Sequence, residues 1–241
     1  MTSVRTALAA AVLLVSASAA LDVRPAPAAP AAARWTAAFS VSSAGGYVMG
    51  NPKAPVRLVE YASLTCPHCA AFAAEGAPAL RTGYVAKGLV SYEVRPLTRD
   101  RMDLVAFLLA RCAGPRIFFP ASEELFAHQA DWLEKAANAE SGFYARLATL
   151  PPEAMLPELA HSAGLDAIMA QHGVDARRQR ACLADKAAQQ QLAEMKAQAE
   201  ALDVQGTPSF LINGVLVRDA ASWGTLEPAL RAALKTQVKA R

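Results

Sequence analysis

Two cysteines three positions apart, in Thr65-Cys66-Pro67-His68-Cys69, constrain this chain more than any other stretch. At the mouth of a helix that spacing puts both sulfurs on one face, within bridging reach. Pro67 suits a first helical turn, where its missing N–H costs no hydrogen bond. Cys66 then stands at the positive end of the helix, beside amide N–H groups that have no backbone acceptor. That field favours thiolate over thiol, and thiolate is the form that attacks and leaves in disulfide exchange. The preceding Val56-Arg57-Leu58-Val59-Glu60-Tyr61 is β-branched and largely apolar, which predicts a strand. The pair therefore lies at a strand-to-helix junction, the setting of a redox CxxC. Half of a zinc site is the competing use, but four-ligand sites carry a second Cys or His pair at short spacing, and this sequence has none.

Far downstream, Gly206-Thr207-Pro208-Ser209-Phe210-Leu211-Ile212-Asn213-Gly214 reads as a turn, a short apolar strand and an Asn-Gly hairpin. An X–Pro bond is cis in only ~5–6% of cases, so these residues alone leave Pro208 an ordinary turn proline. Glu60 alone reads as a solvent-facing strand glutamate. Together, the CPHC motif and the later stretch resemble the thioredoxin superfamily, specifically the DsbA-like thiol:disulfide oxidoreductases of the bacterial envelope, over roughly residues 47–240. The resemblance implies an α/β thioredoxin fold with a large inserted α-helical domain. It also implies that Pro208 is cis and faces the CxxC. Thr207 would then offer its backbone to an extended substrate segment, and Glu60 would lie beneath the cysteines and assist proton transfer.

Residues 1–20 hold Arg5, an Ala/Leu/Val run from Ala7 to Val15 and the small-residue pattern Ala17-Ser18-Ala19, the layout of a cleaved signal peptide. The run is shorter than the ~18 residues of a membrane span, with a retained anchor as the alternative. Residues 21–46 form an Ala/Pro-rich tether and lead-in. Thioredoxin-like parts at 47–98 and 204–241 bracket a helical insertion at 99–203. In the first part, a helix from Pro67 kinks near Pro78 and stops near Lys87-Gly88, and a strand follows at Leu89–Val94. Within the insertion, Val105, Leu108, Leu109 and Cys112 recur at helical spacing before Gly114-Pro115. Ser122-Glu123-Glu124 opens a second helix that runs to about Lys135, and Pro157 and Gly164 bracket a short one. Leu192, Met195, Ala199 and Leu202 mark the last apolar stripe. Strands near 208–212 and 215–218 and a helix from about Ser222 finish the chain.

An ordinary thiol ionises near ~8.5, and helix-terminal CxxC thiols ionise several units lower. Stabilising the thiolate stabilises the reduced form, so the disulfide becomes a strong oxidant. Cys66 is expected to be the exposed, attacking sulfur and Cys69, one turn in, the buried resolving one. Pro67 and His68 tune the pair, His68 by a hydrogen bond or positive charge rather than as a proton-transferring base. Cys112 and Cys182 read as two buried free thiols or, given an even cysteine count and export, as a bridge. The resemblance favours a structural disulfide, since some DsbA-like proteins carry one in the helical domain.

A net charge of +3 and the lack of a basic stripe interleaved with aromatics argue against nucleic-acid binding. His128, His161 and His172 lack ligand spacing, so no metal site is expected. The reading is a periplasmic thiol oxidase with no cofactor beyond its own Cys66–Cys69 disulfide, acting as a monomer on unfolded or newly exported cysteine-containing proteins. The resemblance implies a quinone-linked membrane partner that reoxidises it. Two alternatives stay open. One is a disulfide isomerase or reductase; the other is a copper-handling metallochaperone holding Cu(I) on Cys66 and Cys69, for which no Met/His-rich segment speaks.

Overall fold

A run of β-branched and aromatic residues makes β3 (Val56–Ala62) an inner strand of a six-stranded sheet in the computed structural model, which describes residues 31–239. The signal peptide expected at 1–20 and the first part of the tether lie outside the described residues. The other strands are β1 (Phe39–Val41), β2 (Tyr47–Gly50), β4 (Val90–Pro96), β5 (Ser209–Ile212) and β6 (Val215–Val217), in the spatial order β1-β2-β4-β3-β5-β6. β3 and β4 run parallel, while β3 and β5 run antiparallel, so β3 is bonded on both edges. Leu58 through Ala62 are all buried, because helices cover both faces of this strand.

The alternation along β3 decides where the chemistry sits. On one face α2 (Pro67–Leu80) and α11 (Trp223–Lys239) close a large core, with Phe72 of α2 against Phe210 of β5 at 4.8 Å. On the other face Val59, Tyr61 and Leu211 pack with Ala199 of α10 (Lys186–Ala201). Glu60 shares the parity of Leu58 and Ala62, which points it under α2. Past Pro78, α2 runs into a π-helical turn at Arg81–Val85, and the chain reverses at Gly88 with φ +69°.

Eight helices, α3 (Arg101–Cys112), α4 (Pro115–Ala127), α5 (Gln129–Ala137), α6 (Phe143–Leu147), α7 (Pro152–Ser162), α8 (Leu165–Gln171), α9 (Ala176–Ala184) and α10, lie between β4 and β5. Their apolar residues merge with those of the sheet into one cluster, with Phe118 of α4 stacked on Tyr47 of β2 at 4.3 Å. Among the described residues, no helix is long and apolar enough to cross a membrane.

Four local expectations are corrected. The second helix of the insertion begins at Pro115, not Ser122. Gly114 takes φ +81° and Pro115 fills the first turn, which leaves Ser122 buried mid-helix, and the helix breaks at His128 before α5. Pro157 does not open a helix either: Pro151 is the extended N-cap of α7 and Pro152 its first residue, so Pro157 falls inside. Leu202 lies past the end of α10 and is 41% exposed, outside the stripe. The lead-in is more than a tether, because α1 (Ala31–Thr36) forms and β1 adds an edge strand whose Phe39 packs on Phe119 at 5.7 Å.

Cys112 and Cys182 are bonded, joining α3 to α9 with Cα atoms 5.6 Å apart across 70 residues. Loop closure on this scale contributes roughly 4 kcal/mol. Replacing both with alanine should lower the urea-unfolding free energy by about that amount; an unchanged midpoint would contradict the bridge's stabilising role.

Candidate active site

β3 ends at Ala62, and four residues later Cys66 caps α2 with φ −91° and ψ 121°. Its carbonyl accepts the N–H groups of Cys69 and Ala70 at 3.1 and 3.2 Å, the first bonds of the helix. Pro67 occupies the first helical turn, as its fixed φ allows. The Thr207-Pro208 peptide bond is cis, and Cys66 Sγ lies 3.2 Å from the Thr207 carbonyl, to which it donates only while it is protonated. The segment before β5 is thereby laid against Cys66 from 141 residues away.

Cys66 and Cys69 are pushed in opposite directions. The Cys66 thiol is lowered from 9.0 to about 4, chiefly because the Cys69 thiol donates to its sulfur. Burial opposes this, while the Thr207 side chain and the main-chain N–H groups of Cys69 and His68 reinforce it. Cys69 is pushed far above the ordinary range by burial, by its bond to Cys66 and by the Glu60 charge. One proton is therefore held on Cys69 while Cys66 carries the charge.

Cys66 is not an exposed sulfur. Only 3% of the residue is accessible, against 0% for Cys69, because the Thr207 loop closes over it. It opens instead onto a groove of about 570 Å³ lined by Pro67, His68, Leu97, Arg99 and Thr207. The His68 ring is exposed and makes no hydrogen bond among the described residues; the contribution of His68 to Cys66 runs through its main-chain N–H. Glu60 is buried at 2% accessibility, and the Tyr92 hydroxyl donates to it. Burial raises its carboxyl from 4.5 to about 7, the Tyr92 bond opposes that rise, and the Cys66 charge adds to it.

Three partners escaped the sequence reading. Tyr92 gave no signal beyond its strand. Asp103, fully buried, accepts the N–H groups of Leu64 and Arg99 at 2.8 and 3.0 Å. Burial lifts its carboxyl from 3.8 to about 7, against those bonds and one from Ser63. In sequence it is an acidic residue in a first helical turn, where exposed aspartates are common. Gln129 donates to the carbonyls of Leu64 and Cys66 at 2.7 and 3.1 Å. Among the described residues, no group of three or more His, Cys, Asp or Glu side chains could hold a metal ion.

Residues 42–232 match a family model described as thioredoxin. A Rickettsia typhi protein, provisionally named a protein-disulfide oxidoreductase, is 31% identical over 80% of this chain, and the match spans 64% of that protein's own length. The crystal structure of a protein-disulfide isomerase from Novosphingobium aromaticivorans superposes with a TM-score of 0.72 at 33% identity, covering 78% of this chain and 96% of that one. The alpha-DsbA1 of Wolbachia pipientis shares the fold, with a TM-score of 0.65 at 21% identity over 82% of this chain and 95% of that one.

When Cys66 and Cys69 are joined, neither titrates, which leaves Glu60 and Asp103 as buried carboxyls with a raised pKa among the described residues. Burial, the largest cause for each, makes both hold their proton more tightly folded than unfolded (4.5 and 3.8), Asp103 up to about 7 and Glu60 up to about 7 less the share that the Cys66 charge adds in the reduced form. Their contribution to stability is therefore complete below about 4 and is lost as pH rises through about 7. The urea midpoint of the oxidised protein should fall across that window, and Glu60→Gln should flatten part of the fall. A profile that rises or stays level there contradicts the assignment.

Proposed function

This chain belongs to the thioredoxin family, and from that premise we propose that it is a DsbA-like periplasmic thiol:disulfide oxidoreductase donating its Cys66–Cys69 disulfide to newly exported proteins. The observation that carries this reading is geometric: Cys66 caps α2 against the cis Thr207-Pro208 bond while Cys69 lies fully buried in the first turn, a placement that lowers the Cys66 thiol to about 4 and pushes Cys69 far above the ordinary range. A thiolate that stable makes the reduced form low in energy, so the disulfide gives itself up readily.

The exchange runs in two steps. A substrate thiolate attacks Cys66 Sγ, forms a mixed disulfide and expels Cys69, which takes a proton. Glu60, protonated up to about 7, is the buried acid on that side of the sheet and supplies it, directly or through water. The substrate's second thiolate then attacks its own sulfur in the mixed disulfide and releases Cys66 as a thiolate, a fast leaving group because its pKa is low. The substrate loses two electrons and closes its disulfide; this protein gains them and ends with Cys66 as thiolate, Cys69 as thiol and Glu60 as a carboxylate that takes a proton back from solvent. Thr207 offers main-chain groups to an extended substrate segment, which accommodates many sequences. An external acceptor must then remove the two electrons, and a quinone-linked membrane protein fits that need.

Isomerase or reductase action is the second reading, favoured by the likeness to the Novosphingobium protein-disulfide isomerase. The same thiolate would then start the exchange from the reduced form. The equilibrium potential of the Cys66–Cys69 couple separates the two. An oxidase should sit near or above ~−180 mV and oxidise a dithiol peptide stoichiometrically, whereas a value near ~−270 mV overturns donation in favour of reduction.

A further inference from the structure

The link between β3 and α2 is only Ser63-Leu64-Thr65, and Leu64 is fully buried. A buried peptide group must find a partner, and here no strand or helix ladder supplies one. Asp103 Oδ1 takes the Leu64 N–H at 2.8 Å, and Gln129 Nε2 donates to the Leu64 carbonyl at 2.7 Å. Both side chains come from the helices between β4 and β5. The Gln129 amide also donates to the Cys66 carbonyl at 3.1 Å, and Asp103 Oδ2 accepts the Arg99 N–H at 3.0 Å. The residue types suit their tasks: a carboxyl group offers two acceptors to two N–H groups, and an amide nitrogen offers two donors to two carbonyls. Asparagine at 103 or glutamate at 129 would set like against like.

We propose that Gln129 and Asp103 are positioning residues that transmit the geometry of the helical insertion to the catalytic turn. They hold the Leu64–Cys66 main chain so that the Cys66 sulfur meets the N–H groups at the start of α2 and the Thr207 loop. Neither side chain touches the sulfur. The proposal rests on the reading of Cys66 as the reactive sulfur.

Gln179 supplies a matched control. It is buried as deeply as Gln129, lies in the same set of helices, and its Nε2 donates to two carbonyls, those of Asp166 and Val174, at 2.9 and 2.7 Å. Gln129→Met and Gln179→Met each keep side-chain length and delete two buried hydrogen bonds, so both should lower the unfolding midpoint. Only Gln129→Met should also raise the Cys66 pKa, read from alkylation rate against pH, by about half a unit or more, roughly a threefold fall in the ionisation constant. Asp103→Asn should move Cys66 in the same direction and serves as the second variant if Gln129→Met does not fold. If whichever of these two folds moves Cys66 no further than Gln179→Met does, the residues are merely structural and the proposal falls. An ordinary Cys66 pKa in the unaltered protein would instead sink the functional reading on which it rests.

Discussion

A charged sulfur survives out of water only where donors replace the water it has lost. Cys66 has such a set: the Cys69 thiol, the Thr207 side chain and the main-chain N–H groups of His68 and Cys69. Each donor comes from a different piece of local structure. The helix start supplies the N–H groups, one turn of α2 supplies the thiol, and the loop before β5 supplies threonine. The burial that makes Cys69 refuse to ionise is also what keeps its proton available to Cys66. Asymmetry between two chemically identical groups thus follows from a single turn of helix set over a buried strand.

The remainder of the molecule keeps that set in register. β3, bonded on both edges and covered on both faces, fixes where the turn begins. The helical insertion shares the sheet's core and reaches the turn through two buried side chains. Under the turn, Glu60 and Tyr92 form a buried acid–phenol pair whose carboxyl stays protonated to about 7. A neutral acid there costs little to bury; a permanent charge would destabilise the Cys66 thiolate by repulsion.

Much of this was legible in sequence wherever the signal was local. Val56–Tyr61 announced a strand, Pro67 a helix start, and Asn213-Gly214 a hairpin whose two residues do take positive φ, 52° and 86°. Errors arose where local signals competed. Ser122 carries a helix-start pattern, but Pro115 after Gly114 had already begun the helix, and Pro152 preempted Pro157 in the same way. What sequence could not supply was contact between distant segments. The occlusion of Cys66 depends on Thr207, and the support of Leu64 depends on Asp103 and Gln129, 39 and 65 residues away. No periodicity encodes such pairings. The CPHC motif also suggested a role for the His68 imidazole, while the structure uses the peptide N–H of that residue, which any amino acid other than proline would provide.

The central claim is that Cys66 is a thiolate under conditions where an ordinary cysteine is a thiol. Thiolate absorbance of the fully reduced protein, followed as pH is lowered, tests it most directly, because Cys69 does not titrate in the accessible range. The account predicts one ionisation near about 4. A single transition near ~8.5, the value of a free thiol, would contradict it.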